Sequence, residues 1–348
     1  MKSNNLSRRN FIQKSALGLG VGTLLPYGSF SSETKSHSYF RPGEKLPREV
    51  WIASLSQEGM SVKGYKDMVD QILGSFEEIR SYNPDIICLP EGFPSAVSDR
   101  YSLKDIAETP IGEITRPFAD YARNNNCYII CPIHTTEKGK YYNAAVVIDR
   151  QGKLMGEYRK IHPTIGEVER GIVPGPVDAP VFKTDFGIIG IQICFDIEWD
   201  DAWKRLRKKG AEMVFWASAY AGGSMVNTMA WQNKYCVVSS TRKDTSKICD
   251  ISGEEIASTG RWNMRWVCAP VNLEKVFLHS WPYVRRFNEI KAKYGRKVCI
   301  KSFHGEEWSI IESRSPDVKV ADIMKEFDLK SHEEHMASAE IAQDQARE

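Results

Sequence analysis

From about residue 49 onward, short apolar runs rich in Ile and Val alternate with longer stretches in which apolar and charged positions recur at helical spacing. Short apolar runs are typical of buried strands, and helical spacing is typical of amphipathic helices. The pattern predicts strands at residues 50–55, 85–89, 128–133, 143–148, 153–159, 187–193, 212–216, 236–241 and 247–250. It predicts helices at residues 65–80, 112–125, 201–209 and 225–234. This alternation indicates layered α/β structure, with a hairpin turn at residues 149–152.

The chain shows no internal repeat and no low-complexity linker, so residues 45–285 are predicted to form one domain. Beyond about residue 280 the periodicity is less regular, and residues 318–347 are rich in Lys, Glu, Asp and Ala. We therefore expect a C-terminal extension at residues 286–348 that is helical and packs on the body or on a second subunit.

Two histidines in this extension, His332 and His335, lie three positions apart. On a helix this spacing is compatible with two of the ligands of a metal site. A solvated, charged helix face is the preferred interpretation, because no third ligand is suggested nearby and the zinc-protease motif has a different spacing. No metal site is predicted.

The first 40 residues have the pattern of a targeting segment. Arg8 and Arg9 are followed by the short apolar run 16–25 and then by a polar stretch. The arrangement resembles a bacterial twin-arginine export signal and predicts a signal and linker at residues 1–40 and a periplasmic location. A basic, frayed terminus is the alternative. The apolar run is too short and too rich in glycine to span a membrane, and no other stretch is long enough, so no stable membrane insertion is expected.

Composition excludes further classes of protein. With 42% hydrophobic and 26% charged residues, the 348-residue chain can bury a substantial core. The formal net charge is +2, but residues 1–30 contain four basic residues and no acid, so the remainder has two more acids than bases. No nucleic-acid or lipid surface is predicted. The eight cysteines are spread from Cys88 to Cys299, so most are expected to be free, buried thiols rather than a disulfide scaffold.

Three residues with acid, base or nucleophilic chemistry directly follow predicted strands. They are Glu91, Lys160 and Cys194. Active sites of open α/β sheets collect at such carboxyl ends, because the loops there are free while the strands hold their stems. A carboxylate, an ammonium group and a thiol together can carry out acyl transfer. Taken singly, however, each residue has another explanation. Glu91 is also compatible with a turn residue, Lys160 with a solvated strand end and Cys194 with a small buried hydrophobe.

The segments around these positions resemble the glutamate, lysine and cysteine motifs of the nitrilase superfamily of carbon–nitrogen hydrolases, in the same order. The three segments are Leu89-Pro90-Glu91-Gly92-Phe93, Tyr158-Arg159-Lys160-Ile161-His162-Pro163-Thr164 and Gly190-Ile191-Gln192-Ile193-Cys194-Phe195-Asp196. The resemblance covers about residues 48–275. It implies a four-layer αββα sandwich, catalysis by Glu91, Lys160 and Cys194 without a cofactor or metal, a small-molecule substrate, and a homodimer or larger homo-oligomer.

The resemblance also implies a second glutamate near the lysine. Glu167 fits best, because family members often have Pro-Thr-x-Gly-Glu after the lysine, and Glu169 is the competitor. In the implied chemistry Glu91 takes the thiol proton of Cys194, and Lys160 stabilises the oxyanion. Collapse then gives a thioester and releases ammonia or an amine. Glu167 would orient the lysine and the substrate amide.

Two signals disagree about the branch of the superfamily. Phe195-Asp196 is similar to amidases and carbamoylases, whereas the stretch 163–167 is similar to nitrilases. The first signal is preferred, because the backbone N–H of Phe195 contributes to the oxyanion site. The expected substrate is a small amide or N-carbamoyl compound, with a nitrile as the alternative. Ser218 and Tyr220, which follow a predicted strand, are expected to line the substrate pocket.

Two other function classes fit less well. A papain-like thiol hydrolase would pair Cys194 with a histidine and leave Lys160 without a role. The candidate histidines lack surroundings typical of that family: His134, His162 and His279. A binding protein that keeps the fold without turnover is the non-enzyme alternative, and the intact catalytic set argues against it.

Overall fold

The computed structural model describes residues 45–95 and 101–348. A six-stranded sheet contains the strands that precede the glutamate and the lysine, in the order β12-β1-β2-β3-β4-β5. With strands numbered in chain order, they are β1 (Glu49–Leu55), β2 (Ile86–Cys88), β3 (Tyr128–Glu137), β4 (Lys140–Ile148), β5 (Leu154–Arg159) and β12 (Trp266–Asn272). Strands β1, β2 and β3 run parallel, so their carboxyl ends meet at one edge.

A second six-stranded sheet contains the strand that precedes the cysteine, in the order β11-β10-β9-β8-β7-β6. Its strands are β6 (Phe182–Lys183), β7 (Ile188–Ile193), β8 (Met213–Ser218), β9 (Cys236–Thr241), β10 (Lys247–Cys249) and β11 (Glu255–Ser258). The central strands β7, β8 and β9 are parallel. Parallel strands buried on both faces explain the nearly continuous Ile and Val runs in the sequence.

The two sheets pack face to face, and helices cover their outer faces. Along β4, Ala145 and Val147 belong to the core between the sheets, while Val146 and Ile148 belong to the core under the helices. This alternation is the period-two pattern of a strand buried on both faces. The helices are α1 (Tyr65–Ile79) and α3 (Arg116–Asn125) on the first sheet, and α5 (Asp200–Lys208) and α6 (Ser224–Asn233) on the second. The predicted four-layer αββα sandwich is confirmed. Two short helices, α2 (Leu103–Ile106) and α4 (Ile165–Glu169), lie in the loops.

Serine side chains connect the two sheets at the carboxyl ends of their strands. The hydroxyl of Ser240 in β9 lies 2.6 Å from the carbonyl oxygen of Leu55 and 3.0 Å from that of Cys88. From the other sheet, the hydroxyl of Ser54 donates to the carbonyl of Ser239 at 2.5 Å. These bonds hold the end of β2 against β9.

The C-terminal part of the chain has a core of its own under a three-stranded sheet. The sheet order is β13-β15-β14, formed by β13 (Lys275–His279), β14 (Val298–Phe303) and β15 (Trp308–Ser313). Three helices accompany it: α7 (Val284–Tyr294), α8 (Val320–Glu326) and α9 (His332–Arg347). The expected helical extension is therefore wrong in part, because β14 and β15 occupy its middle.

The two histidines of α9 pack against rings rather than lining a solvated face. The ring of His335 stacks on His279 with centroids 5.0 Å apart, and His332 packs against Trp308 at 4.6 Å. Across residues 45–95 and 101–348, no cluster of three or more His, Cys, Asp or Glu is arranged to hold a metal ion.

The predicted export signal at residues 1–40 lies outside the described residues. In the part of the chain that the structure covers, no helix combines the length and the apolar character needed to cross a membrane. All eight cysteines are free, and six of them are buried.

Candidate active site

Glu91 lies in a tight loop just beyond β2. The N–H of Leu89 still continues the strand and donates to the carbonyl of Ile130 at 3.1 Å, and Pro90 then ends the ladder. Gly92 has φ +47°, a left-handed conformation that glycine adopts without strain. The loop places the side chain of Glu91 in the protein interior, and the residue is only 4% exposed.

Arg242, the residue after β9, holds this loop in place. Its Nε donates to the carbonyl of Glu91, and its Nη2 donates to the carbonyl of Gly92 at 3.3 Å. A Cβ at Gly92 would lie 2.6 Å from Nη2, so the close approach of the guanidinium requires glycine. Arg242 was not predicted from the sequence, because its partners are about 150 positions away and nothing near it in sequence indicates them.

The side chain of Lys160 bridges two carboxylates. Its Nζ lies 3.0 Å from Oε1 of Glu91 and 2.8 Å from Oε2 of Glu167, and the side chain is 1% exposed. Burial by itself disfavours the ammonium form, but the charges of the two carboxylates outweigh it and raise the pKa of Lys160 above its ordinary value. Lys160 is therefore an ammonium ion at neutral pH.

Asn143 connects the same two carboxylates from β4. Its Nδ2 donates to Oε1 of Glu91 at 2.8 Å and to Oε1 of Glu167 at 2.6 Å, and its backbone carbonyl accepts from the backbone N–H of Lys160 at 2.8 Å. Asn143 was not predicted from the sequence. The available signal was a lone amide in the apolar run of β4, because a buried amide requires hydrogen-bond partners.

Glu167 is positioned by the start of α4. Thr164 caps the helix: its Oγ1 accepts from the N–H of Glu167 at 3.3 Å, and its own N–H donates to Oε2 of Glu167 at 2.8 Å. Burial raises the pKa of the Glu167 carboxyl, but Lys160 and the donated hydrogen bonds outweigh this effect and lower it below the ordinary value. Glu169 is exposed on the same short helix. The geometry therefore favours Glu167 over its competitor.

Cys194 begins a tight turn at the end of β7. Its φ is +48°, a strained value for a residue with a side chain, and the indole N–H of Trp216 donates to its carbonyl at 2.9 Å. Burial, and next the charge of Glu91, raise the pKa of the Cys194 thiol to about 11, although Lys160 opposes them. The thiol is therefore protonated at neutral pH and requires a base.

Asp196 ties the cysteine turn to the lysine segment. Its Oδ2 accepts from the N–H of Ile193 at 2.9 Å and from the hydroxyl of Tyr158 at 2.7 Å. Its Oδ1 accepts from the N–H of His162 at 2.9 Å. Asp196 is fully buried, so these bonds fix the two motifs relative to each other. His162 itself stacks on Trp199, with ring centroids 4.1 Å apart.

The candidate catalytic residues share one cavity of about 680 Å³. Its lining includes Glu91, Asn143, Lys160, Glu167 and Cys194. Pockets of about this size take small molecules. The structure therefore brings together all four residues that sequence analysis assigned to catalysis.

The three residues predicted to contact substrate are placed less directly. Ser218 is fully buried against the sulfur of Cys194, where its hydroxyl favours the thiolate. The rings of Phe195 and Tyr220 pack edge-on against Trp199 and Trp216, respectively, outside the described cavity lining. Contact of these three residues with substrate stays a prediction.

Comparisons with known proteins identify the family of the chain. The carbon-nitrogen hydrolase family model matches residues 57–278, more than half of the chain. A beta-ureidopropionase of Arabidopsis thaliana is 29% identical over 209 residues, which cover 56% of this chain and 51% of that protein. An omega-amidase of Xenopus tropicalis is 28% identical over 152 residues, or 41% and 55% of the two chains. The chain spans about half the length of these curated relatives.

Solved structures show the same fold. An amidase of Nesterenkonia sp. superposes with a TM-score of 0.56 at 15% identity, covering 64% of this chain and 90% of that one. Nit3 of Saccharomyces cerevisiae, a member of the nitrilase superfamily, gives a TM-score of 0.55 at 18% identity, covering 72% and 96%. With the family match over most of the sandwich and the three motifs gathered in one cavity, the chain belongs to the carbon–nitrogen hydrolase family.

Proposed function

We propose that this protein hydrolyses a non-peptide carbon–nitrogen bond of a small amide or N-carbamoyl compound, with Cys194 as the nucleophile. The hydrogen bonding of Glu91 carries the proposal. Its Oε1 accepts from Lys160 and Asn143, while its buried Oε2 has no hydrogen-bond partner among the described residues. Buried polar atoms are rarely left unpaired. An unpaired carboxylate oxygen in the same cavity as a protonated thiol is suited to accept the thiol proton.

In the first half of the reaction, Glu91 takes the proton of Cys194, and the sulfur attacks the carbonyl carbon. A carbon–sulfur bond forms, and the carbonyl electron pair moves to oxygen. Lys160 and the backbone N–H of Phe195 stabilise that oxyanion, and each such donor typically contributes about 3 to 4 kcal/mol. Collapse re-forms the carbonyl and breaks the carbon–nitrogen bond, while Glu91 returns its proton to the leaving nitrogen. The products are a thioester and ammonia or an amine.

In the second half, Glu91 takes a proton from water, and the oxygen attacks the thioester. Collapse breaks the carbon–sulfur bond, and the proton goes to the sulfur of Cys194. An amide substrate then leaves as a carboxylic acid, and an N-carbamoyl substrate leaves as carbamic acid, which breaks down to carbon dioxide and ammonia. Lys160 keeps its proton throughout, because the carboxylate of Glu167 still faces it while Glu91 carries a proton. Its role is therefore to stabilise charge rather than to transfer protons.

Amide and nitrile substrates separate the two branches of the superfamily. A nitrile attacked by sulfur gives a thioimidate, whereas an amide gives an oxyanion that Lys160 and the Phe195 N–H can hold. We expect kcat/KM on an amide or N-carbamoyl compound to exceed that on the nitrile of the same side chain by at least tenfold, or about 1.4 kcal/mol. Release of ammonia or amine from matched pairs measures this ratio. A nitrile hydrolysed faster than its own amide would place the protein in the nitrilase branch instead.

Export through the twin-arginine route is proposed from Arg8, Arg9 and the apolar run after them. A fusion of residues 1–40 to a reporter protein should reach the periplasm. The matched control replaces both arginines by lysine, which keeps the charge, and should remain in the cytoplasm. Equal export of the two fusions, or retention of both, would contradict the proposal. The homodimer or larger homo-oligomer expected from the family resemblance likewise stays a proposal.

A further inference from the structure

Helix α9 is attached to the rest of the molecule mainly through its first turn. None of its 16 residues is buried, and every residue from 340 onward is exposed. The half-buried rings of the helix are those of His332 and His335, both in the first turn. Just before the helix, Leu329 is still buried in the C-terminal core. A helix held by so few buried contacts can separate from its neighbours at a small cost in free energy.

Ring packing provides most of this attachment. The ring of His332 packs against Trp308 in β15, with centroids 4.6 Å apart. The ring of His335 stacks on His279 in β13 at 5.0 Å, with the two planes 19° from parallel, and lies edge-on to Tyr283 at 6.2 Å. We call these ring contacts of the two α9 histidines the α9 contact.

The α9 contact is surrounded by cations, and each carboxylate near it already has a partner. The titratable and charged groups that face the two rings are Arg207 in α5, Glu212 before β8, Lys234 at the end of α6, Lys275 and His279 in β13, Tyr283, Lys330, and Glu333 and Glu334 in α9 itself. Glu212 pairs with Arg48, Glu333 pairs with Arg207, and Glu334 accepts from the N–H of Ser331. A protonated histidine here would therefore meet more positive than unpaired negative charge.

Protonation of either ring weakens the α9 contact. Burial, and next the charge of Lys234, lower the pKa of His332 to about 4, and burial, followed by the charge of His279, lowers the pKa of His335. In a detached helix both rings return to the ordinary pKa of about 6.5. Because the attached state has the lower pKa, the contact has its full strength above about pH 6.5 and weakens as the pH falls toward 4.

We infer that the α9 contact is a pH-sensitive device: α9 is attached at neutral pH and detaches in acid, when His332 and His335 take up protons. The chain turns after Leu329, which stays in the C-terminal core. Detachment uncovers the rings of Trp308 and His279. The device does not depend on the proposed hydrolysis, because none of these residues belongs to the described lining of the active-site cavity.

Hydrogen exchange of the full chain measures the opening of α9. Mass spectrometry of peptides that cover residues 332–340, at pH 7.5 and pH 5, gives the opening constant after correction for the pH dependence of intrinsic exchange. The lowered pKa of His332 alone should raise this constant by about tenfold to thirtyfold at pH 5. Helix α1 of the sandwich should keep its protection. Equal opening of α9 at the two pH values overturns the inference, and so does a simultaneous loss of protection in α1, which would indicate general unfolding by acid.

The double variant His332→Phe, His335→Phe keeps two aromatic rings in the α9 contact but cannot protonate them. Its opening constant at pH 5 should stay within about twofold of the value at pH 7.5, because opening no longer takes up protons at these positions. His304→Phe is the matched control, since His304 is exposed in the turn between β14 and β15, and its α9 should detach in acid like that of the unmodified protein. A double variant that opens in acid as much as the unmodified protein would show that other groups are responsible, and the inference would be wrong.

A pH series on the unmodified protein decides the question if α9 of the double variant is already detached at pH 7.5. Between pH 6.5 and pH 5 the opening constant must rise as the pH falls, by up to about tenfold per pH unit for each histidine that takes up a proton. A rise confined to α9 supports the inference. An opening constant that is independent of pH over this range overturns it.

Discussion

Replacement of Cys194 by alanine is expected to abolish hydrolysis, with kcat reduced by at least about ten-thousandfold, the scale seen when a nucleophile is removed. The reason is that Cys194 is the one thiol in the described cavity lining, while Glu91 and Glu167 are engaged with Lys160, whose own amine is protonated. Ammonia release measures the loss. Folding should be unchanged, because the substitution removes one sulfur atom from a residue that already lines a cavity.

The matched control for this variant is Cys299→Ala. Cys299 is a half-buried thiol in β14 of the C-terminal sheet, and the protein that lacks it should keep full activity. In the unmodified protein, a slowly hydrolysed substrate should leave an acyl adduct on the peptide that contains Cys194, detectable by mass spectrometry. Retention of most activity by the Cys194→Ala protein, or an adduct on another cysteine, would exclude the proposed mechanism.

Glu167→Gln is expected to lower kcat by about a hundredfold to a thousandfold, the effect of losing one electrostatic stabiliser of the transition state. The amide removes a negative charge beside Lys160. It also places an NH₂ group where either Lys160 or Asn143 now donates, at 2.8 Å and 2.6 Å respectively. The ammonium group should therefore lose its fixed position more than the substrate loses binding, so kcat should fall more than KM rises.

Glu169→Gln is the control for this prediction, because it makes the same chemical change two positions along the same short helix. Glu169 is exposed and belongs to a different face, so its replacement should change kcat by less than about twofold. Steady-state kinetics of the two variants on one amide give the comparison. The reverse ranking would transfer the role of second glutamate to Glu169.

Local sequence patterns were enough to predict most of the sandwich, because its central strands are buried on both faces and therefore consist of apolar runs. The strand β12 was missed for a physical reason. It contains Pro270, which argues against a central strand, and the structure places β12 at the edge of its sheet, where proline is tolerated. The strands of the C-terminal sheet were missed because they mix polar with apolar positions, and β14 is in addition half-exposed.

In the candidate site, too, some residues were predicted from local sequence patterns and others were not. Glu91, Lys160, Glu167 and Cys194 were found because each stands in a motif whose neighbours in sequence are also its neighbours in space. Asn143 and Arg242 were not found, because they contact the glutamate loop from distant parts of the chain, Asn143 from β4 of the same sheet and Arg242 from the end of β9 in the other sheet. Residues of this kind are recognised only when the tertiary structure shows which loops meet.

The serine bonds between the sheets have a consequence for how the protein loses reactivity. The proposed base and cation belong to one sheet and the proposed nucleophile to the other, and Ser240 joins the sheets where β2 leads to Glu91. A state that keeps its secondary structure but loosens the packing between layers would retain every catalytic side chain and still be inert. The rate of hydrolysis therefore depends on how closely the two sheets pack. Substitutions deep in the sandwich can change this rate without contacting the substrate.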